Sequence, residues 1–263
     1  MTWQKLALLI LIWVLILYEQ THAMVALTPT HICKTALHAC ASATVAQRAA
    51  HELYIIVPGT WAFKNTWFRL GGDFFNSLHH AVDKQHAHVL WFNWLGDYYL
   101  SSRKKGAAEL AHFLTCFPQK SHIHLIAHSH GVNVCSHASQ LLTELEIKPT
   151  IKTLYALGGP IDANETLPNM EIIELVYNLY SKDDWIQPAF GFKQTMPPGD
   201  NIHNLRVFVE GKDPDHYKLH CPIVGKWLTH LPNTNCPQDG EVHFFAHRPP
   251  SCHIPTKTNG KKQ

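Results

Sequence analysis

Residues 123–134 (IHLIAHSHGVNV) constrain the fold more than any other stretch of this chain. An apolar run of β type, Ile123-His124-Leu125-Ile126-Ala127, enters His128-Ser129-His130-Gly131, and a segment able to form a helix begins at Val132. Strand, tight turn and helix in that order put a serine at the tip of a bend so sharp that its flanking residues must be small, as in the pattern G-x-S-x-G. Here the small positions hold Ala127 and Gly131. Alanine meets the steric demand, though without glycine's conformational range. Ser129 is therefore the candidate nucleophile.

The rest of the chain supplies alternating elements around that turn. Residues 53–57 (LYIIV) read as a buried strand, as do 88–95, 151–157, 171–180 and 205–209, the last clear strand. Residues 103–117 (RKKGAAELAHFLTCF) have Ala107, Leu110, Ala111 and Leu114 on one side and a stop at Pro118, which predicts a helix. In 65–84 the aromatics Trp67, Phe68, Phe74 and Phe75 fall at mixed helical spacing, interrupted at Gly71-Gly72, and core packing accounts for them. Strands alternating with helices predict an α/β fold with a doubly wound, mostly parallel sheet flanked by helices. In such sheets a site gathers beyond the carboxyl ends of the strands.

The residues that carry chemistry lie in those post-strand loops. A serine hydroxyl is a weak nucleophile until an imidazole takes its proton, and the imidazole works well only when a carboxylate holds its other nitrogen. Ser129, Asp184 and His216 each follow one of these strands, in the order nucleophile, acid, base. Asp183 is the alternative acid, and Asp184 is preferred because it leads into Trp185-Ile186, which can anchor the loop. His220, four residues past His216, is the alternative base. His128 and His130 flank the nucleophile so closely that shaping the turn suits them better than acting as the base. Negative charge on a tetrahedral intermediate needs donors already in position, and the backbone N–H groups of Thr60, in the Pro58-Gly59-Thr60-Trp61 loop after the first strand, and of His130 are the candidates. His122-x-His124 and His128-x-His130 look like ligand pairs, but alternate strand residues share a face for geometric reasons and no acidic cluster completes a shell. No metal is expected.

With these segments in hand, the chain resembles the lipase and esterase branch of the α/β-hydrolase superfamily. The likeness spans about residues 53–231 and rests on VPGTW, FNWLGDYYLSSR, LIAHSHGVNV, LYALGGP, NLYSKDDWIQP and DHYKLHCPIVGKWL, in that order. Similar proteins usually have histidine where this chain has Pro58 and glycine where it has Ala127. The resemblance implies hydrolysis of a carboxylic ester through an acyl-serine intermediate, with no metal or organic cofactor. Residues 187–200 (QPAFGFKQTMPPGD) either wall an acyl cleft with Phe190, Phe192 and Met196 or form an ordinary loop whose aromatics pack on the core. No long lid insertion separates the strands, which favours an accessible cleft and shorter or soluble esters. Two rival readings use the same residues: acyl transfer to an acceptor other than water, and a catalytically silent binding protein on the same fold.

Composition bounds the rest. At 263 residues and 46% hydrophobic, one sizeable core is sufficient. A net charge of only +2 and no long basic run outside the last residues argue against nucleic-acid binding. The 21 histidines predict that charge, and with it activity, depends on mildly acidic pH. The organisation expected is a signal peptide or N-terminal membrane anchor at 1–23, a linker at 24–50, an α/β domain at 51–231 and a Pro/His-rich C-terminal extension at 232–263. The apolar run of the N-terminal segment is short for a bilayer-spanning helix, so export, secreted or periplasmic, is favoured over a membrane tether. A small-molecule ester or lipid substrate and a monomeric state complete the expectation. Seven cysteines without a CxxC pair exclude a zinc ribbon or thioredoxin-type site. Cys236 pairing with Cys252 would staple the tail, residues 242–246 (VHFFA) would tuck one strand-like segment onto the domain, and Cys135 fits a buried position behind the serine turn.

Overall fold

The computed structural model describes residues 51–82, 86–145, 149–162 and 166–254. The expected signal or anchor segment, the linker and the last residues of the tail lie outside them. Eight strands form one sheet: β1 (Glu52–Val57), β2 (Ala87–Trp91), β3 (His122–His128), β4 (Thr150–Leu157), β5 (Val176–Tyr180), β6 (Ile202–Val209), β7 (Asp239–Phe244) and β8 (Ser251–His253). They lie side by side in the order β2-β1-β3-β4-β5-β6-β7-β8. Every neighbouring pair is parallel except β7 with β8. The order turns back on itself at β1, which lies between β2 and β3. Beside that reversal the carboxyl ends of β1 and β3 can open a crevice.

Strand periodicity explains why both faces are covered. On β1, Leu53, Ile55 and Val57 point to one side and Ile56 to the other, and all four are fully buried. Leu125 and Ala127 on β3 repeat the first side and Ile126 the second. The first side packs against α2 (Leu100–Leu114) and α3 (Gly131–Thr143), through Leu110, Leu114, Val134 and Ala138. The second packs against α1 (Asp73–Ala81) and α5 (Pro222–Trp227), through Phe74, Leu78 and Val224. This is the doubly wound α/β architecture expected from the alternation of elements.

Several boundaries differ from the sequence reading. The helix expected over 103–117 starts and stops a turn earlier, with Tyr99 as its extended N-cap and Arg103 donating to the Tyr98 carbonyl. The strand expected over 171–180 is shortened to Val176–Tyr180. Asn169 draws the first part into a turn, its side chain accepting from the Glu171 N–H (2.9 Å) and its carbonyl from Ile172 and Ile173. In the described part of the tail, β7 and β8 continue the sheet beyond β6, so 205–209 is not the last strand. Cys236 and Cys252 are disulfide-bonded, which joins the approach to β7 to β8, while Cys135 and Cys221 are free and Cys135 is fully buried. Among the described residues no helix is long and apolar enough to cross a membrane.

Candidate active site

The chain leaves β3 through the serine turn, and the turn's geometry follows from what surrounds it. Ser129 sits at φ 53°, in the left-handed region that a non-glycine residue adopts only when its surroundings impose it. Its N–H donates to the Leu157 carbonyl at the end of β4 (3.0 Å), and its carbonyl accepts from Val132 as α3 begins. Two glycines make room. A Cβ on Gly131 would lie 2.4 Å from the Val57 carbonyl oxygen, and one on Gly59 would lie 2.7 Å from the Ser129 Cβ. The loop after β1 therefore passes directly over the serine, which brings Thr60 to the same place.

The expected acid and base follow β5 and β6, on the far side of β4 from the serine turn. Asp184 follows β5 and is 1% exposed, and its Oδ2 accepts a 2.7 Å hydrogen bond from His216 Nδ1. Its Oδ1 accepts from the Ile186 N–H, which fixes the carboxylate's orientation. With Nδ1 donating, Nε2 of His216 is left as the basic nitrogen. Asp183 is exposed, and the carboxylate hydrogen-bonded to His216 is that of Asp184. His216 opens the short 3₁₀ turn His216–His220 after β6. His220 is brought close as well, but into a different role: its ring stacks on Trp67 at 3.9 Å and meets His128 edge-on at 4.6 Å.

Ser129, His216, Thr60 and His130 line a single cavity of about 280 Å³. Its walls are aromatic and apolar, with Trp61, Tyr98, Trp185, Ile186, Phe190 and Phe192, and no charged side chain lines it. The backbone N–H groups of Thr60 and His130 have no hydrogen-bond partner among the described residues. Residues 187–200 thus divide between the two expected uses: Phe190 and Phe192 wall the cavity, while Met196 is 3% exposed and packs in the core.

Histidines crowd this end of the sheet, yet their neighbours keep them neutral. His128 Nε2 donates to the His216 carbonyl (3.1 Å), tying the residue before the nucleophile to the residue expected to act as base. Burial, then the nearby His216 and His220 rings, holds His128 well below the usual imidazole range. Burial does the same for His130, to about 3, and for His220, to about 4. These three do not add charge at mildly acidic pH, contrary to what the histidine count suggests.

Asn133 is a member of the site that the sequence reading missed. Its Nδ2 donates to the Pro160 carbonyl (3.2 Å) and its Oδ1 lies 3.0 Å from His130 Nδ1. The signal was available only as a polar residue three positions after His130 at the start of a helix, where it shares a face with it. Tyr98, likewise missed as a wall residue, stands edge-on to His130 at 5.3 Å. Among the described residues no group of three or more His, Cys, Asp or Glu is arranged to hold a metal ion. Of the two histidine pairs that resemble ligands, His122 and His124 both hydrogen-bond Glu52 at the other end of the sheet.

No family model matches the chain, and no curated protein matches it either. Among solved structures it is similar to a metagenomic carboxyl esterase, at 10% identity and a TM-score of 0.34 over 61% of this chain. The matched region spans 50% of that esterase's length.

Proposed function

We propose that this chain is a serine hydrolase of the α/β-hydrolase type that cleaves carboxylic esters, with Ser129 as nucleophile, His216 as base and Asp184 as its orienting acid. One observation carries the reading: a serine held at φ 53° shares a cavity with an imidazole whose other nitrogen is hydrogen-bonded to a buried carboxylate, and with two unpartnered backbone N–H groups.

In the first half-reaction the Ser129 Oγ bonds to the ester carbonyl carbon as its proton passes to His216 Nε2. The carbonyl π pair becomes an oxyanion, met by the N–H groups of Thr60 and His130. The C–O bond to the alcohol then breaks, and the leaving oxygen takes the proton from His216. Water repeats the sequence on the acyl-serine and releases the acid. Asp184 stabilises the imidazolium that forms twice. The cavity's volume and uncharged walls support neutral acyl groups of short to medium length. The disulfide Cys236–Cys252 supports export to an oxidising compartment.

The purified protein is treated with a fluorophosphonate probe and with p-nitrophenyl esters of increasing chain length, beside Ser129→Ala. The expected result is labelling of the parent alone and ester turnover reduced at least about 10³-fold in the variant. An unlabelled parent overturns the proposal. A labelled parent that releases product only when an alcohol acceptor is added replaces hydrolysis by acyl transfer.

A further inference from the structure

His130 does more in this cavity than lend its backbone. The residue is only 6% exposed, and its ring stands between two aromatic walls, edge-on to Tyr98 (5.3 Å) and Phe192 (6.2 Å). The proton on that ring can be located. The Pro160 carbonyl can only accept, so the Asn133 atom facing it is the NH₂ group, and the atom facing His130 is the amide oxygen. An amide oxygen cannot donate, so Nδ1 of His130 carries the hydrogen. In the neutral ring Nε2 then holds a bare lone pair. Burial keeps the ring neutral.

Nε2 has no hydrogen-bond partner among the described residues. Nor is it one of the fully enclosed nitrogens without a partner among the described residues, such as His124 Nδ1 and His230 Nδ1. In a residue so buried, the opening that reaches it is the cavity it lines. An acceptor locked in one tautomer between two aromatic walls is a specificity element, because a ligand lacking a matching donor must desolvate it without replacement.

Building on the hydrolase reading above, we infer that this site selects esters carrying a hydroxyl or N–H donor close to the scissile carbonyl, which donates to His130 Nε2. The backbone N–H of the same residue is set to hold the carbonyl oxygen, so a donor a few bonds from the carbonyl is within the ring's reach. Asn133 is the positioning residue that holds the tautomer.

The experiment compares matched esters with the whole protein. p-Nitrophenyl butyrate is set against p-nitrophenyl 3-hydroxybutyrate, with the donor on the acyl side. Butyl butyrate is set against 3-hydroxybutyl butyrate, with the donor on the alcohol side. The readout is the ratio of kcat/KM within each pair, so that changes common to both members cancel. The parent should favour the hydroxylated member of one pair by about tenfold or more, and the favoured pair identifies the side that His130 contacts. In His130→Phe, which keeps a flat ring without the acceptor, that ratio should fall to near one. Asn133→Leu, which leaves the imidazole but frees its tautomer, should reduce the ratio in part. Ratios near one in both pairs for the parent, or a preference that survives in His130→Phe, overturn the inference. Either result leaves the hydrolase reading standing if the parent is still labelled by the fluorophosphonate, whereas loss of labelling removes both.

Discussion

Beyond the carboxyl ends of the strands, Asp184 and His216 meet at 2.7 Å; at the opposite end of the same sheet, Glu52 is joined at 2.7 Å to both His122 and His124. The contacts are alike in chemistry and length, and their surroundings separate them. Asp184 and His216 have side chains 1% and 6% exposed, whereas those of Glu52 and His122 are 33% and 47% exposed. The first pair adjoins a strained serine, free N–H donors and a closed aromatic wall. The second adjoins Tyr54, whose ring stacks on His124 at 4.5 Å, and open solvent. A carboxylate–imidazole pair becomes a candidate for catalysis through burial, a fixed tautomer and a nucleophile in the same cavity, not through the hydrogen bond alone.

The sharpest way to break this comparison is to change the acid at each end. Asp184→Asn removes the acceptor that keeps the hydrogen on Nδ1 of His216, and kcat for ester hydrolysis should fall about 10³- to 10⁴-fold. Asp183→Asn, one residue away and exposed, should stay within about twofold of the parent. Equal losses in the two variants would mean that the loop, rather than the buried carboxylate, is what matters.

Gly158 tests how closely the buried pair is packed. It sits at φ 56°, and a Cβ there would lie 3.1 Å from Asp184 Oδ2 and 2.7 Å from Leu219 Cδ1. Gly158→Ala combines a left-handed alanine with that crowding. We expect about 2 kcal/mol lower stability in urea unfolding, together with slower turnover. Gly211, also at positive φ (75°) but with open space where a Cβ would go, is the control: Gly211→Ala should show the backbone penalty alone.

His128 sharpens the comparison from a second direction, since its donation to the His216 carbonyl has no counterpart at the Glu52 end. His128→Leu removes that donor from the buried carbonyl. We expect kcat to fall about tenfold with KM little changed, and His128→Gln, which restores a donor, to recover part of the loss. A KM effect without a kcat effect would assign His128 to substrate packing instead.

These tests also separate what the sequence disclosed from what it concealed. The α/β alternation was legible because it is written in local periodicity, and Ser129, Asp184 and His216 stood out because each follows a strand. The meeting of Asp184 and His216 adds a long-range contact that their spacing only suggested. Asn133, Tyr98 and the carbonyl contact of His128 were hidden for a physical reason. Each depends on a partner brought near by folding, 88 residues away for His128 and His216 and 27 for Asn133 and Pro160; only the contact of Asn133 with His130, three residues back, is local. β7 (DGEVHF) was legible only in part: the strand-like segment expected at 242–246 covers its buried Val242 and Phe244, whereas Asp239 and Glu241 mask where the strand begins.

The smallest effect is expected where the comparison is weakest, at Glu52. Burial alone would raise the pKa of its carboxyl, but hydrogen bonds from His124 and then His122 outweigh that, and the net direction is down. A carboxyl whose folded pKa lies below its unfolded value stabilises the protein above the unfolded value, near 4.5, and loses that contribution as pH falls through the folded one. With Glu52 a third exposed, solvent screens the pair, so Glu52→Gln should cost less than about 1 kcal/mol at pH 7. The difference from the parent should shrink as the pH is lowered below 4.5, followed by urea unfolding across that range. Ester turnover should be unchanged, because the sheet's full length separates Glu52 from Ser129. A turnover loss comparable to that of Asp184→Asn would erase the distinction between the two ends of the sheet and would require a connection through β1 and β3.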